Sequence, residues 1–340
     1  MEVSENRTTL LEDIETTRRS PRFPSFREVL DSAAPAEALA SKRFYALVDG
    51  EFSTKFQDKL LDCRSRAWFI RNEDTGMVRI AAKQCRLRWC YHCSEARQQF
   101  ITQAVLPWFQ MAKNPRLLTV TLKHTQDPLD EQIDFLYKSF AKLRNRKVCK
   151  DAIRGGIWFF QVTYNQKTGE WHPHIHALLD AGYMLHAKLV SDWYSITGDS
   201  TIVHIRNVDN PEKTLAHNAR YAARPSSLLK IPESLWKEFY YAFDGRRICG
   251  TWGTARKISL RPTKPEDSNK WHDIGGFRTV IALKDEDDNA RAIFDSWSLG
   301  IPLPEGIEMI DLSAEIEKTA AAARPPPEWK TQGYFDYAIS

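Results

Sequence analysis

The sequence predicts an α+β protein, because apolar runs of strand length are interspersed with amphipathic helical stretches and a cysteine cluster stands before them. Two of the strands, residues 157–164 and the run around His174, are joined through Lys167-Thr168-Gly169. So short a polar turn makes them antiparallel neighbours. The cluster reads Cys85-x4-Cys90-x2-Cys93 with Cys63 upstream, whereas Cys149 and Cys249 are isolated.

The chain has 340 residues, 42% hydrophobic and 27% charged, enough for one large or two ordinary domains. No window approaches the roughly 20 unbroken apolar residues that cross a bilayer, and the first residues form no apolar leader, so a cytoplasmic protein without membrane contact is expected. The net charge of +4 is small. The bases are nevertheless clustered, at Arg64, Arg66 and Arg71, at Arg86 and Arg88, at Lys142, Arg144, Arg146, Lys147 and Lys150, and at Arg246, Arg247, Arg256, Lys257 and Arg261. Such clusters suit a phosphate backbone, although each one alone also fits a solvated face.

Residues 1–40 are polar and broken by Pro21, Pro24 and Pro35, the composition of a flexible tail. Residues 41–110 hold the cysteine region and a connecting helix. A hairpin with its turn at Glu73-Asp74-Thr75-Gly76 returns Cys63 to the other three cysteines. In a reducing compartment this spacing argues for a metal rather than disulfides, and four cysteines make a tetrahedral zinc site, with His92 an alternative ligand to one of them. Ala96, Phe100, Ala104, Trp108 and Met111 then follow helical spacing over residues 94–111, with a kink expected at Pro107.

Residues 117–123 read as a strand, and Asp127-Pro128 as a cap and first turn for a helix with Leu129, Ile133, Leu136, Phe140 and Leu143 along one stripe. Gly155-Gly156 opens the next strand. The strand after the polar turn carries Glu170-Trp171-His172-Pro173-His174-Ile175-His176-Ala177-Leu178-Leu179. Alternation puts His172, His174 and His176 on one face and Ile175, Ala177 and Leu179 on the other, so one face is ready for a metal while the other is core. A helix over residues 185–197 ends at Gly198 and a strand covers residues 201–206. Asn210-Pro211 then caps a helix running to Arg224, on which Thr214, His217, Asn218, Tyr221 and Arg224 share one face.

A Leu-Thr-Val-Thr-Leu strand, a His-Pro-His-Ile-His-Ala-Leu-Leu strand and a helix with Tyr221-x-x-Arg224, in that order behind a cysteine cluster, resemble the rolling-circle plasmid replication initiators of the HUH endonuclease superfamily. Residues 193–203 also look like that group, and the resemblance covers about residues 60–260. It implies an HUH-type antiparallel sheet flanked by helices, here with an N-terminal cysteine-rich zinc-binding region. It also implies a divalent ion, Mg2+ or Mn2+, held by His174 and His176, with His172 or Glu170 as third ligand. Tyr221 would then be the nucleophile that cleaves one strand of origin DNA, leaving a 5′-phosphotyrosine link and a 3′-hydroxyl for a polymerase. Single-stranded and duplex origin DNA, a host helicase and a DNA polymerase are the implied partners.

The sequence departs from the family pattern twice. Arg224 stands where a lysine is common, and His217 occupies the position one turn before the tyrosine where relatives carry a glutamate that activates water; Glu212 is a second candidate for that task. The nicking domain is assigned to residues 111–262. Residues 263–340, with the acidic run at Lys284-Asp285-Glu286-Asp287-Asp288 and the Arg324-Pro325-Pro326-Pro327 stretch, read as a C-terminal extension of unassigned role. An HUH transposase or phage-type initiator shares this chemistry, and a zinc-stabilised DNA-binding protein that does not cut is the reading from another class.

Overall fold

In a computed structural model the described residues are 26–33, 35–49, 55–223, 225–261 and 270–307. They form an α+β structure of two antiparallel sheets flanked by helices, in two compact units with one boundary between Leu39 and Ala40 and another between Cys93 and Ser94, each within a helix.

The first unit contains helices α1 (Phe26–Ala33) and α3 (Lys55–Asp62), strands β1 (Ala67–Asn72) and β2 (Val78–Ala82), and, from the far end of the chain, strand β8 (Trp271–Gly276) with helices α10 (Phe277–Leu283) and α11 (Asp288–Leu299). Its sheet runs β2-β1-β8, antiparallel throughout. The hairpin exists because Asn72 accepts hydrogen bonds from the amides of Asp74 and Thr75 and Gly76 takes a positive φ of 67°, which a side chain would resist. Two strands alone are marginal in water. Ala67, Phe69, Val78, Ile80 and Ala82 therefore need cover, and Phe26, Val29, Phe277, Ile281, Ile293 and Trp297 provide it in one buried cluster.

Two expectations change here. Residues 26–33 and 35–40 are helical rather than a tail, and α1 buries Phe26 and Val29; residues 1–25 and 34 lie outside the described residues. Residues 271–303 are not peripheral but complete the sheet and core of the cysteine-bearing unit. The acidic run opens α11, where the Asp287 side chain caps the Ala290 amide, and the 324–327 stretch lies outside the described residues.

The second unit is a five-stranded antiparallel sheet of order β6-β3-β5-β4-β7. Its strands are β3 (Pro115–Thr121), β4 (Ile153–Asn165), β5 (Glu170–Ala181), β6 (Val203–Asn207) and β7 (Cys249–Gly253). Helices α5 (Leu129–Arg144), α6 (Lys147–Ala152), α7 (His186–Thr197), α8 (Pro211–Ala223) and α9 (Trp236–Ala242) flank it. It also takes in part of α2 (Pro35–Asp49) and most of α4 (Tyr91–Gln110), within which Pro107 lies. The five stripe residues of α5 are all buried. Asp127 is not its cap: Pro128 occupies that position, and Glu238 accepts the Leu129 amide at 2.9 Å instead.

Gly155 and Gly156 lie inside β4 rather than before it, because β7 approaches closely there. A Cβ on Gly156 would stand 2.6 Å from the Trp252 ring, and one on Gly250 would stand 2.7 Å from Trp158 Nε1. Each glycine thus sits under the tryptophan of the facing strand in register, Gly156 with Trp252 and Trp158 with Gly250. The indoles cover what the glycines leave open.

Candidate functional site

Strand β5 is central, paired along its whole length with β4 and from His174 to Asp180 with β3. That rigidity fixes the histidines. Trp171, Ile175, Ala177 and Leu179 are buried on one face, and His172, His174 and His176 are half-buried on the other. Adjacent rings stand 5.4 and 4.9 Å apart. His124, in the loop after β3, stacks on His172 at 4.4 Å and brings its Nδ1 to 3.9 Å from Glu170.

Neighbouring strands orient the rings. Thr119, opposite His176 on β3, shares a 2.8 Å hydrogen bond with His176 Nδ1 and leaves Nε2 as the nitrogen free to ligate. His174 Nδ1 donates to the His172 carbonyl at 3.1 Å, so its Nε2 carries the lone pair. That lone pair faces the Gln161 amide oxygen at 3.3 Å, with Gln161 opposite on β4. The Gln161 Nε2 is itself buried with no partner, so turning that amide over lets it donate to the His174 lone pair. His172 Nε2 is buried with no hydrogen-bond partner.

Burial keeps these imidazoles neutral, the form that binds metals. It pushes His176 down to about 3, helped by the charges of His174, His217 and Arg206, and His172 down to about 4, helped by His174 and His124. His174 is lowered by burial as well, against the opposing effect of its bond to the His172 carbonyl.

Helix α8 starts where Asn210 Oδ1 accepts the Lys213 amide at 2.8 Å, and it packs against β4. It carries His217, exposed and lowered by partial burial and then by Arg220 and Arg206, close enough for its own charge to act on His176. Tyr221 follows one turn later in the same helix, and Glu212 lies exposed in its first turn. Arg224 lies outside the described residues. Sequence reasoning did not find His124, Gln161, Thr119 or Arg206; strand register selects the last three, a loop contact with His172 brings in His124, and neither was legible in the residue types.

In the first unit the sulfurs of Cys63, Cys85, Cys90 and Cys93 all lie within 4.8 Å of one another, the one group of this kind among the described residues, and could hold a metal ion. Cys63 to Cys93 is 3.5 Å, Cys85 to Cys93 3.6 Å and Cys90 to Cys63 3.7 Å. These spacings exceed a disulfide bond of about 2.0 Å. Cys93 is held low, as a thiolate, by hydrogen bonds from Cys63, Cys85 and Cys90. His92 turns away from the cluster, its Nε2 2.7 Å from Asp31, so the alternative in which it replaces a cysteine is not the arrangement formed.

A replication protein family model matches residues 77–301, which include β5, α8 and three of the four cysteines. The chain belongs to this family. Replication initiators of the plasmid rolling-circle type, the group its motifs resemble, therefore include it. A "Protein rep" from Staphylococcus aureus is 26% identical over 51% of this chain and 83% of its own length. One from Bacillus amyloliquefaciens is 23% identical over 88% of this chain and 97% of its own, and one from Streptococcus pneumoniae is 27% identical over 60% and 71%. No solved structure matches the chain. No helix among the described residues of the initiator is long and apolar enough to cross a membrane.

Proposed function

We propose that this initiator is an HUH-type nickase and strand transferase that cuts one strand of origin DNA through Tyr221. The observation that carries the reading is the row of neutral, strand-held histidines, with the charge of His217 on α8 reaching His176. A divalent ion, Mg2+ or Mn2+, would be held by His174 and His176 with His172 or Glu170, and would supply Lewis-acid polarisation of the scissile phosphate.

The chain's own residues do the rest. The Tyr221 oxygen attacks phosphorus in line, its bond to phosphorus forms as the bond to the 3′-oxygen breaks, and a 3′-hydroxyl remains for extension. Tyrosine has an ordinary pKa near 10, so ionising it at neutral pH costs about 4 kcal/mol. His217, kept neutral, is the base that takes a proton, from the phenol or from the water of a terminating step. Arg224, three residues after Tyr221 in sequence, neutralises phosphate charge.

The four cysteines hold zinc, since a tetrahedron with Zn–S bonds of about 2.3 Å has edges of about 3.8 Å, close to the sulfur spacings. Nicking belongs to residues 111–262, in the cytoplasm, with a host helicase and polymerase acting on the product. Incubation with single-stranded origin DNA and Mn2+ tests the reading. The wild type should give a DNA-linked protein and Tyr221→Phe none, with DNA binding retained. Nicking by the phenylalanine variant, or an adduct on another tyrosine, removes Tyr221 from the role.

A further inference from the structure

We propose that Arg206 and Arg220 form a phosphate-binding pair that seats the DNA strand beside the histidine site, a positioning role that rests on the nicking reading above. The register places Arg206. On β3, Thr119 faces His176 on one side and His204 on the other, so these three residues form a row across β5, β3 and β6. Arg206 lies two residues after His204, opposite Leu117, and alternation returns it to the same face. Strand β6 is an edge of the sheet, so this flank has no further strand to cover it.

Arg220 comes from the other side of the site, three residues after His217 on α8, on the same helix face. Arg206 thus comes from the edge strand and Arg220 from the helix that packs on β4, and the charges of both bear on His217. Both side chains are exposed, and among the described residues neither is ion-paired with a carboxylate; the one hydrogen bond of the Arg206 guanidinium runs to the Asn207 carbonyl at 3.4 Å. Two exposed guanidinium groups with no carboxylate ion pair among the described residues, flanking the histidine row, call for an anion. The anion that a nicking site must hold on each side of the cut is a phosphodiester, which guanidinium binds through paired N–H donors.

The test separates this pair from the cutting chemistry by reading binding alone. Affinity for fluorescein-labelled oligothymidylate is measured against salt in buffer without added Mg2+ or Mn2+, for wild type, Arg206→Gln, Arg220→Gln, the double variant and the two lysine variants. Each lost phosphate contact on a single strand should lower the slope of log affinity against log salt by about 0.7, so the double variant should lose about 1.4. Lysine keeps the charge and should keep the slope. An unchanged slope in both glutamine variants overturns the proposal, and so does an equal loss in the lysine variants. Neither result depends on Tyr221, and failure of Tyr221→Phe to stop nicking would leave these slopes as they are.

Discussion

At the scale of single residues, the site is a set of histidines kept from protonation by burial and aimed by their neighbours. Thr119 shows the second effect. Its hydroxyl sets the His176 ring from the adjacent strand at 2.8 Å. On the proposed nicking reading, Thr119→Val keeps the shape and removes that bond, so metal-dependent nicking should fall about 10- to 100-fold, the usual result of losing a partner behind a ligating histidine. Isothermal titration with Mn2+ would locate the loss in metal affinity; undiminished affinity would show that Thr119 merely fills space. The first effect has a pH signature. Unfolded imidazoles titrate near 6.5, whereas His172 and His176 titrate at about 4 and 3 when folded. The unfolded chain thus binds more protons between these limits, and the stability the pair permits at neutral pH is lost as pH falls from about 6.5 towards 3. Imidazole proton shifts followed by NMR should show both rings still neutral at about pH 5, and ordinary titration midpoints would contradict their burial.

At the scale of elements, the sheet of the second unit depends on the close approach of β4 and β7. Gly156→Ala drives a methyl group into the Trp252 indole, which itself carries Arg144 stacked 5.0 Å above it. Overpacking of this kind costs about 1–3 kcal/mol. Urea unfolding should show that loss with an unchanged denaturant slope, and Gly156→Ala with Trp252→Ala together should cost less than the sum of the two. The same pair marks how far the sequence could be read. The alternation of β5 and the stripe of α5 were legible because each is a property of one segment: His172 to His176 repeat every second residue, and Leu129 to Leu143 follow the helix. The glycine pair was read as a strand opening because nothing within β4 says that Trp252 arrives from nearly 100 residues later. Gln161, Thr119 and Arg206 stayed hidden for that reason. Each becomes part of the candidate site through cross-strand pairing, which a local pattern does not encode.

At the scale of the molecule, the same limit concealed the composition of the first unit, and it leads to a prediction about metal removal. Three of the four cysteines precede or open α4, and Cys63 follows α3, but the apolar face of the β1–β2 hairpin is covered largely by residues from 271 onwards. Arg27 of α1 donates to the carbonyls of Leu60 and Cys63, while Lys83 pairs with Asp62. A metal at the cysteines would therefore stabilise more than its own loop. It would fix where the hairpin begins, and the hairpin packs against β8, α10 and α11. Since binding energy at a structural metal site is folding energy, chelation should accelerate amide exchange in residues 60–93 and also in residues 271–299, about 180 residues away in sequence. The five-stranded sheet, with its own buried core, should keep its protection. Exchange that quickened between Cys63 and Cys93 alone would show that the far segment folds without the hairpin, and exchange unchanged everywhere would show that the four cysteines carry no structural metal.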